Sequence, residues 1–377
     1  MNVEETREER AFREQLRGWL DSNIDPDLRL RPATFAERLE ADRQMASEGL
    51  IAVTWPVEYG GRGTTPSLAA ILDDERARAG IPAARSPSRL GVHLLGPTLM
   101  RHGSPEQQRE FLPPILRAEQ LWCQGFSEPD AGSDLANARC FAEHVGSHLV
   151  LRGTKIWTTQ AMESDWCFAL VRTTANATPK HRGLTFVLVS MAEPGIDIRP
   201  LVQLTGDAEF SQVFFDDVRV ETANVVGEAG GGWTVAMTTL SSERTFAQLS
   251  RYRLYSDQLA RIAQMIASDP AAIPDGWLSE LGVLYADLTG IRNLSYKIAS
   301  LATAGRAVDS LSSITKLWWS NTHQRLLDLG LRVATRFAVD EDEWYRLWLD
   351  SRAETIYAGS SEIQRNIIAE RQLGLPR

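Results

Sequence analysis

The chain has 377 residues, 43% hydrophobic and 24% charged, which is enough for two or three domains with ordinary globular cores. A net charge of -9 argues against nucleic acid or an anionic membrane surface as the main partner, because both attract a positive field. The three cysteines, Cys123, Cys140 and Cys167, form no CxxC pair and meet no histidine cluster, so buried free thiols are expected and no metal site.

The opening "MNVEETREERAFREQLRGWL" carries an acid or base every few residues, unlike a secretory leader, a transit peptide or a membrane span. A soluble cytoplasmic protein is the expectation. Residues 1–120 read as an N-terminal all-helical domain, with apolar positions three and four apart in "EERAFREQLRGWLDS", "TFAERLEADRQMASEG", "SLAAILDDERARAG" and "SPEQQREFLPPILRA". Ser104 followed by Pro105 is a helix start.

Residues 121–230 change to short β-like runs, "HLVLRG", "KIWTTQ", "WCFALVRT", "LTFVLVSM", "IDIRPL" and "QVFFDDVRV", separated by turn formers. A middle β domain, barrel or sandwich, is expected here. The glycines of "GEAGGGW" lack the spacing of a phosphate cradle and read as a flexible interdomain turn. Helical periodicity then persists over 231–377, interrupted by the loop-forming "SDPAAIPDG". The whole is an α+β chain. The cluster Trp318, Trp319, Trp344, Tyr345 and Trp348 reads as core or interface packing rather than a pocket lining.

Six motifs stand in one order along the chain: "WPVEYGG" at 55–61, "CQGFSEPDAGSDLA" at 123–136, "GTKIWTTQA" at 153–161, "FFDDVRV" at 214–220, "GGGW" at 230–233 and "IYAGSSEIQRNIIAERQLGLP" at 356–376. In order and spacing they resemble the acyl-CoA dehydrogenase family, over nearly the whole length. That resemblance implies the family's fold: helical domain, β domain and C-terminal four-helix bundle. By themselves, Pro129 and Gly132 shape a loop in which Ser127 and Ser133 offer hydrogen bonds, and Trp157 is a strand aromatic. The resemblance adds that Gln124, Phe126 and Ser127 contact the flavin of FAD, and that Trp157 lies against its ring with Thr158 and Thr159 donating hydrogen bonds. It also puts Ser360 and Glu362 on the cofactor, and Ser133, Arg244, Tyr357 and Ala358 on the acyl-CoA substrate.

Ala358 occupies the place where many family members carry the glutamate that removes the substrate's α-proton, and a methyl group is no base. In other branches the base sits on an earlier helix, and here Glu243, ten residues after Trp233, matches that location. Helical spacing alone would make Glu243 a surface acid paired with an arginine. The acid here, together with the alanine there, points to a relocated base. By resemblance, the backbone N–H at position 358 still binds the thioester oxygen, since exchanging Glu for Ala leaves it intact.

The family's segment that holds the adenosine diphosphate half of FAD across a subunit interface has no good match around "ASDPAAIPDGWLSE", and "LDLGLRVATRFAVDEDEW" replaces its Gln and Gly-rich turn. A homotetramer would repeat that incomplete site, which a paralogous subunit would complete, so a homo- or heterotetramer is expected, with electron-transfer flavoprotein as the electron acceptor. Two other roles stay open: a non-catalytic subunit supporting an active paralogue, and a flavin oxidase or monooxygenase on the same fold.

Overall fold

The computed structural model describes residues 5–29, 31–245, 248–306 and 308–376, with side chains at all of these except 243–245, 248–250 and 309. Five helices come first: α1 (Arg7–Asn23), α2 (Phe35–Ser47), α3 (Pro66–Arg78), α4 (Gly96–His102) and α5 (Pro105–Leu116). Their starts follow from local chemistry. Thr6 with Glu9, Thr34 with Glu37 and Ser104 with Gln107 each form a reciprocal capping box, satisfying helix-end donors that otherwise lack partners.

Eight strands follow: β1 (Trp122–Gly125), β2 (Phe141–Val145), β3 (His148–Thr159), β4 (Trp166–Arg172), β5 (Leu184–Ser190), β6 (Ile196–Leu201), β7 (Phe210–Glu221) and β8 (Val225–Val226). They build one mixed sheet in the order β6-β7-β3-β2-β4-β5-β8, with β1 paired in parallel to β4. Two runs expected as separate strands, "HLVLRG" and "KIWTTQ", are joined as β3. The strand passes Gly153 at φ 141, where a Cβ would sit 2.8 Å from the Cα of Cys140, so only glycine lets the backbones approach this closely.

Among the described residues six helices follow: α6 (Gly232–Thr245), α7 (Gln248–Ser268), α8 (Trp277–Thr303), α9 (Asp309–Phe337), α10 (Glu341–Ser351) and α11 (Ser361–Ile367). The proline-rich "SDPAAIPDG" forms the connection between α7 and α8, as expected. The GEAGGGW turn is packed rather than free. A Cβ on Gly232 would lie 2.4 Å from the Phe186 nitrogen, and Gly230 N donates to Thr185 Oγ1 at 2.9 Å.

These elements form two compact units, and the first 120 residues are shared between them. One unit takes residues 1–33, 64–84 and 244–377; the other takes 34–63 and 85–243. In the first, α3 packs on α1, α7 and α8, and the bundle core holds Ile262, Leu284, Trp319, Leu326 and Trp344. Trp319 and Trp344 are fully buried while Tyr345 is 52% exposed, so most of the aromatic cluster is core. In the second unit, apolar residues cover both faces of the sheet. Trp55, Phe111, Trp122, Phe168 and Phe186 pack on one side, and Leu151, Val171, Val187 and Val213 pack with the three cysteines in another cluster. Those cysteines are free and buried, and burial raises the Cys140 thiol to about 11.

Candidate active site

The sheet unit carries the first set of predicted residues on β1, on the loop that follows it and on the last residues of β3. The loop after Gly125 is organised by a buried ion pair. Lys155, 0% exposed, donates to Glu128 Oε1 at 2.7 Å and to the carbonyls of Leu170 at 2.7 Å and Phe126 at 3.1 Å. The same carboxylate accepts the backbone N–H groups of Arg139 at 2.5 Å and Cys140 at 2.8 Å. Buried charges are tolerated when they are paired and their remaining hydrogen-bond capacity is filled, which this arrangement achieves. Ser127 O then accepts from Ile156 N at 2.9 Å, joining the loop to the end of β3 beside Trp157.

Trp157 is the outstanding residue of this face. It is 57% exposed, its backbone is left-handed at φ 59, and Phe210 meets its ring edge-on with centroids 6.0 Å apart. Gln160, also left-handed at φ 58, accepts from Arg89 Nη1 at 3.1 Å. Non-glycine residues held in this conformation cluster at ligand-binding sites, and a large indole left uncovered offers a face for a planar ring. Gln124, Ser127 and Thr159 are half-buried, and Ser133 is exposed on the loop.

Two of the predicted residues are buried. Phe126 is 4% exposed, with its ring set edge-on to Phe168 and Phe186 at 5.9 Å in the core of the sheet unit. Thr158 is 0% exposed, and its hydroxyl has no hydrogen-bond partner among the described residues. Simple alternation is broken here: the pairing of β3 with β7 shifts register between Lys155 and Thr158, and the left-handed Trp157 between them is exposed while Thr158 is buried and Thr159 half-buried.

Helix α6 carries Glu243, and its position is set by Thr239 Oγ1, 2.9 Å from Thr98 Oγ1, and by Thr238 Oγ1, 2.9 Å from His102 Nε2. Burial lowers the pKa of His102 below the ordinary imidazole value. The side chains of Glu243 and Arg244 lie outside the described residues.

The helical unit presents the terminal motif. Ala358 is left-handed at φ 52, followed by Gly359 at φ 86, and Gln364 Nε2 donates to their carbonyls at 2.9 and 3.2 Å. Ser360 caps α11, its hydroxyl accepting Ile363 N at 3.4 Å. Glu362 is exposed and lies 3.6 Å from Arg365 Nη1; its own backbone N–H and then Ser360 hold its carboxyl below the usual range. Tyr357 is 40% exposed.

Sequence reasoning missed Lys155, Glu128, His323 and Glu354 as members of polar networks. A lysine inside the apolar run that becomes β3 was a usable signal for the first pair, since an unpaired buried ammonium is too costly to keep. Among the described residues no cluster of metal-ligating side chains occurs, and no helix is long and apolar enough to cross a membrane.

The helical N-terminal segment, mixed sheet and C-terminal bundle, with a loop-and-indole face and a left-handed turn before a short capped helix, define a dehydrogenase-type fold. Models of the acyl-CoA dehydrogenase N-terminal, middle and C-terminal domains match residues 6–119, 123–218 and 230–373. The chain belongs to the acyl-CoA dehydrogenase family, whose members are oxidoreductases. It is 42% identical to acyl-CoA dehydrogenase IpdE1 of Mycobacterium tuberculosis over 97% of both chains, and 41% identical to IpdE1 of Mycolicibacterium smegmatis over 98% of both. Among solved structures it is similar to the ChsE4-ChsE5 complex from Mycobacterium tuberculosis, with TM-score 0.88, 28% identity and complete coverage of both chains. The Tcur3481-Tcur3483 steroid ACAD is similar at TM-score 0.87 and 27% identity, again over the full length of both.

Proposed function

We propose that the protein dehydrogenates an acyl-CoA thioester at its α and β carbons to a trans-2-enoyl-CoA, with Glu243 as the base. The carrying observation is the exchange of positions: alanine at 358 in the terminal motif, and an acid ten residues after Trp233 on α6. The α-proton of a thioester is weakly acidic, so its removal needs a polarised carbonyl and an acceptor at contact distance. Glu243 supplies the acceptor. The backbone N–H of Ala358 supplies polarisation, and Arg244, Tyr357 and Ser133 orient the thioester.

FAD, when bound, supplies the hydride acceptor. Trp157 would give its ring a stacking face, and Gln124, Ser127 and Thr159 would give it hydrogen bonds. The exposed indole and the left-handed backbone at 157 fit that group, and the buried Thr158 hydroxyl, which has no partner among the described residues, is a further donor available to it. By resemblance to the family, Ser360 and Glu362 would also contact the cofactor.

The substrate class is a CoA thioester with a steroid-derived acyl chain, and the working form is a heterotetramer with a paralogous subunit that passes electrons to electron-transfer flavoprotein. The similarity to two-component complexes, one described as a steroid ACAD, supports this. So do the two segments at 267–280 and 327–344 that lack the family's cofactor-holding residues. The test is anaerobic titration of the purified protein, alone and with its partner, against fatty, branched and steroid acyl-CoA thioesters, following the visible flavin spectrum. Wild type should be bleached by steroid thioesters, while Glu243→Gln should retain flavin and resist bleaching. Normal bleaching of the variant would reject Glu243, and full flavin occupancy without a partner would reject the heteromer.

A further inference from the structure

Within the helical unit, a buried polar chain grips the terminal segment four residues before Ala358. Glu354, 6% exposed, accepts from His323 Nδ1, which lies 2.8 Å from Oε1 and 2.9 Å from Oε2, and from the Tyr255 hydroxyl at 3.3 Å. His323 Nε2 is 2.9 Å from Gln258 Oε1, and the imidazole stacks on the Tyr255 ring with centroids 3.7 Å apart. Lys316 Nζ donates to the backbone carbonyl of the same Glu354 at 2.8 Å. Helices α7 and α9 therefore hold one residue by both its carboxylate and its main chain.

From Glu354 to Ala358 the chain is a stiff turn. Ile356 N and Tyr357 N both donate to Ala353 O, at 2.9 and 3.0 Å, and Ser361 N donates to Thr355 O at 2.9 Å. A displacement at Glu354 is carried to the left-handed alanine, whose methyl group provides little anchorage of its own. Bundle packing alone gives no reason for a carboxylate here, because apolar residues of similar volume commonly replace a buried charged pair without loss.

We infer that Glu354, held by His323 and Lys316, is a positioning residue that aims the Ala358 N–H at the substrate's thioester oxygen. This rests on the dehydrogenase reading proposed above. Glu354→Ala releases the segment from α9, whereas Glu354→Gln retains an acceptor for His323 and should restore most of the function. The geometry of a hydrogen bond to developing negative charge acts on turnover far more than on ground-state binding.

The experiment uses the flavin-loaded protein, with its partner subunit where flavin retention requires it. Its probe is a 3-thiaacyl-CoA carrying 13C at the thioester carbonyl, a thioether analogue used to observe binding apart from turnover. Infrared difference spectra report carbonyl polarisation, and steady-state kinetics report kcat and KM. For Glu354→Ala, kcat should fall about 10- to 100-fold, the range a small misplacement of a catalytic donor costs. Flavin content should be retained, KM should change less than about threefold, as expected for a group acting in the transition state, and the carbonyl band should return toward that of the free thioester. Glu354→Gln should keep the wild-type band.

A carbonyl band in Glu354→Ala equal to wild type overturns the inference, whatever happens to stability. If that variant does not fold, His323→Asn replaces it, and an unshifted band there is equally fatal. Wild-type protein that leaves the carbonyl unpolarised would sink the dehydrogenase reading together with the inference, a result distinct from failure in the variants alone.

Discussion

Replacing Lys155 with Met tests whether the buried pair sets the loop that bears Ser127 and Ser133. The substitution conserves volume, so the cavity contribution is small and the loss comes from the charge. It leaves Glu128 buried without its cation, and the carbonyls of Phe126 and Leu170 without the ammonium that reaches both. Removing one partner of a buried pair costs about 3–5 kcal/mol. The two backbone donors that remain, Arg139 N and Cys140 N, place the expectation near the lower end, at about 3 kcal/mol. Because the chain is built as two compact units, a local readout is preferable to a global melt, which is not assured to be two-state. Native-state hydrogen exchange at the amides of Arg139 and Cys140, with urea unfolding followed by peptides of the sheet, isolates the effect. Adding Glu128→Gln to Lys155→Met removes the stranded charge and should recover about 1–2 kcal/mol of the loss. A loss below about 1 kcal/mol for Lys155→Met, with exchange at both amides unchanged, would refute the claim that this pair organises the loop.

Acid stability should depend on Glu75. Burial opposes its ionisation, yet Arg17, Arg13 and Arg78 outweigh that and bring its carboxyl from 4.5 down to about 2. A depressed folded-state value contributes stability above about pH 4.5 that is lost as pH falls through about 2. After allowance for solvent screening this is worth about 1–3 kcal/mol, and Glu75→Gln should flatten that part of the stability-against-pH curve. Gly96→Ala would place a Cβ 2.0 Å from Trp55 Cζ2, beside an indole fixed by its hydrogen bond to Val92 O at 3.0 Å. Overpacking should cost about 1–3 kcal/mol, read as a lowered melting temperature; an unchanged one would show that Trp55 moves freely. Trp157→Ala should change apo stability by no more than about 0.5 kcal/mol, as its side chain is largely exposed. In a thermal-shift titration with FAD the same variant should lose most of the cofactor-induced stabilisation.

The order of helical, sheet and helical segments was legible in the sequence because periodicity and helix caps are local properties. Thr34, Ser104 and the alternating β3 residues act on neighbours a few positions away. The six motifs placed the family by the same linear means, and the missing acid at 358 directed attention to Glu243. Tertiary structure decided what linear spacing does not encode. It assigned α1 and α3 to the unit of the C-terminal helices and α2, α4 and α5 to that of the sheet. It sent the Phe126 ring into the core and the Thr158 hydroxyl inward, and it joined Lys155 to Glu128 and His323 to Glu354 across 27 and 31 positions. Such pairings arise when burial forces distant polar groups to satisfy one another, and that demand exists only after the chain has folded.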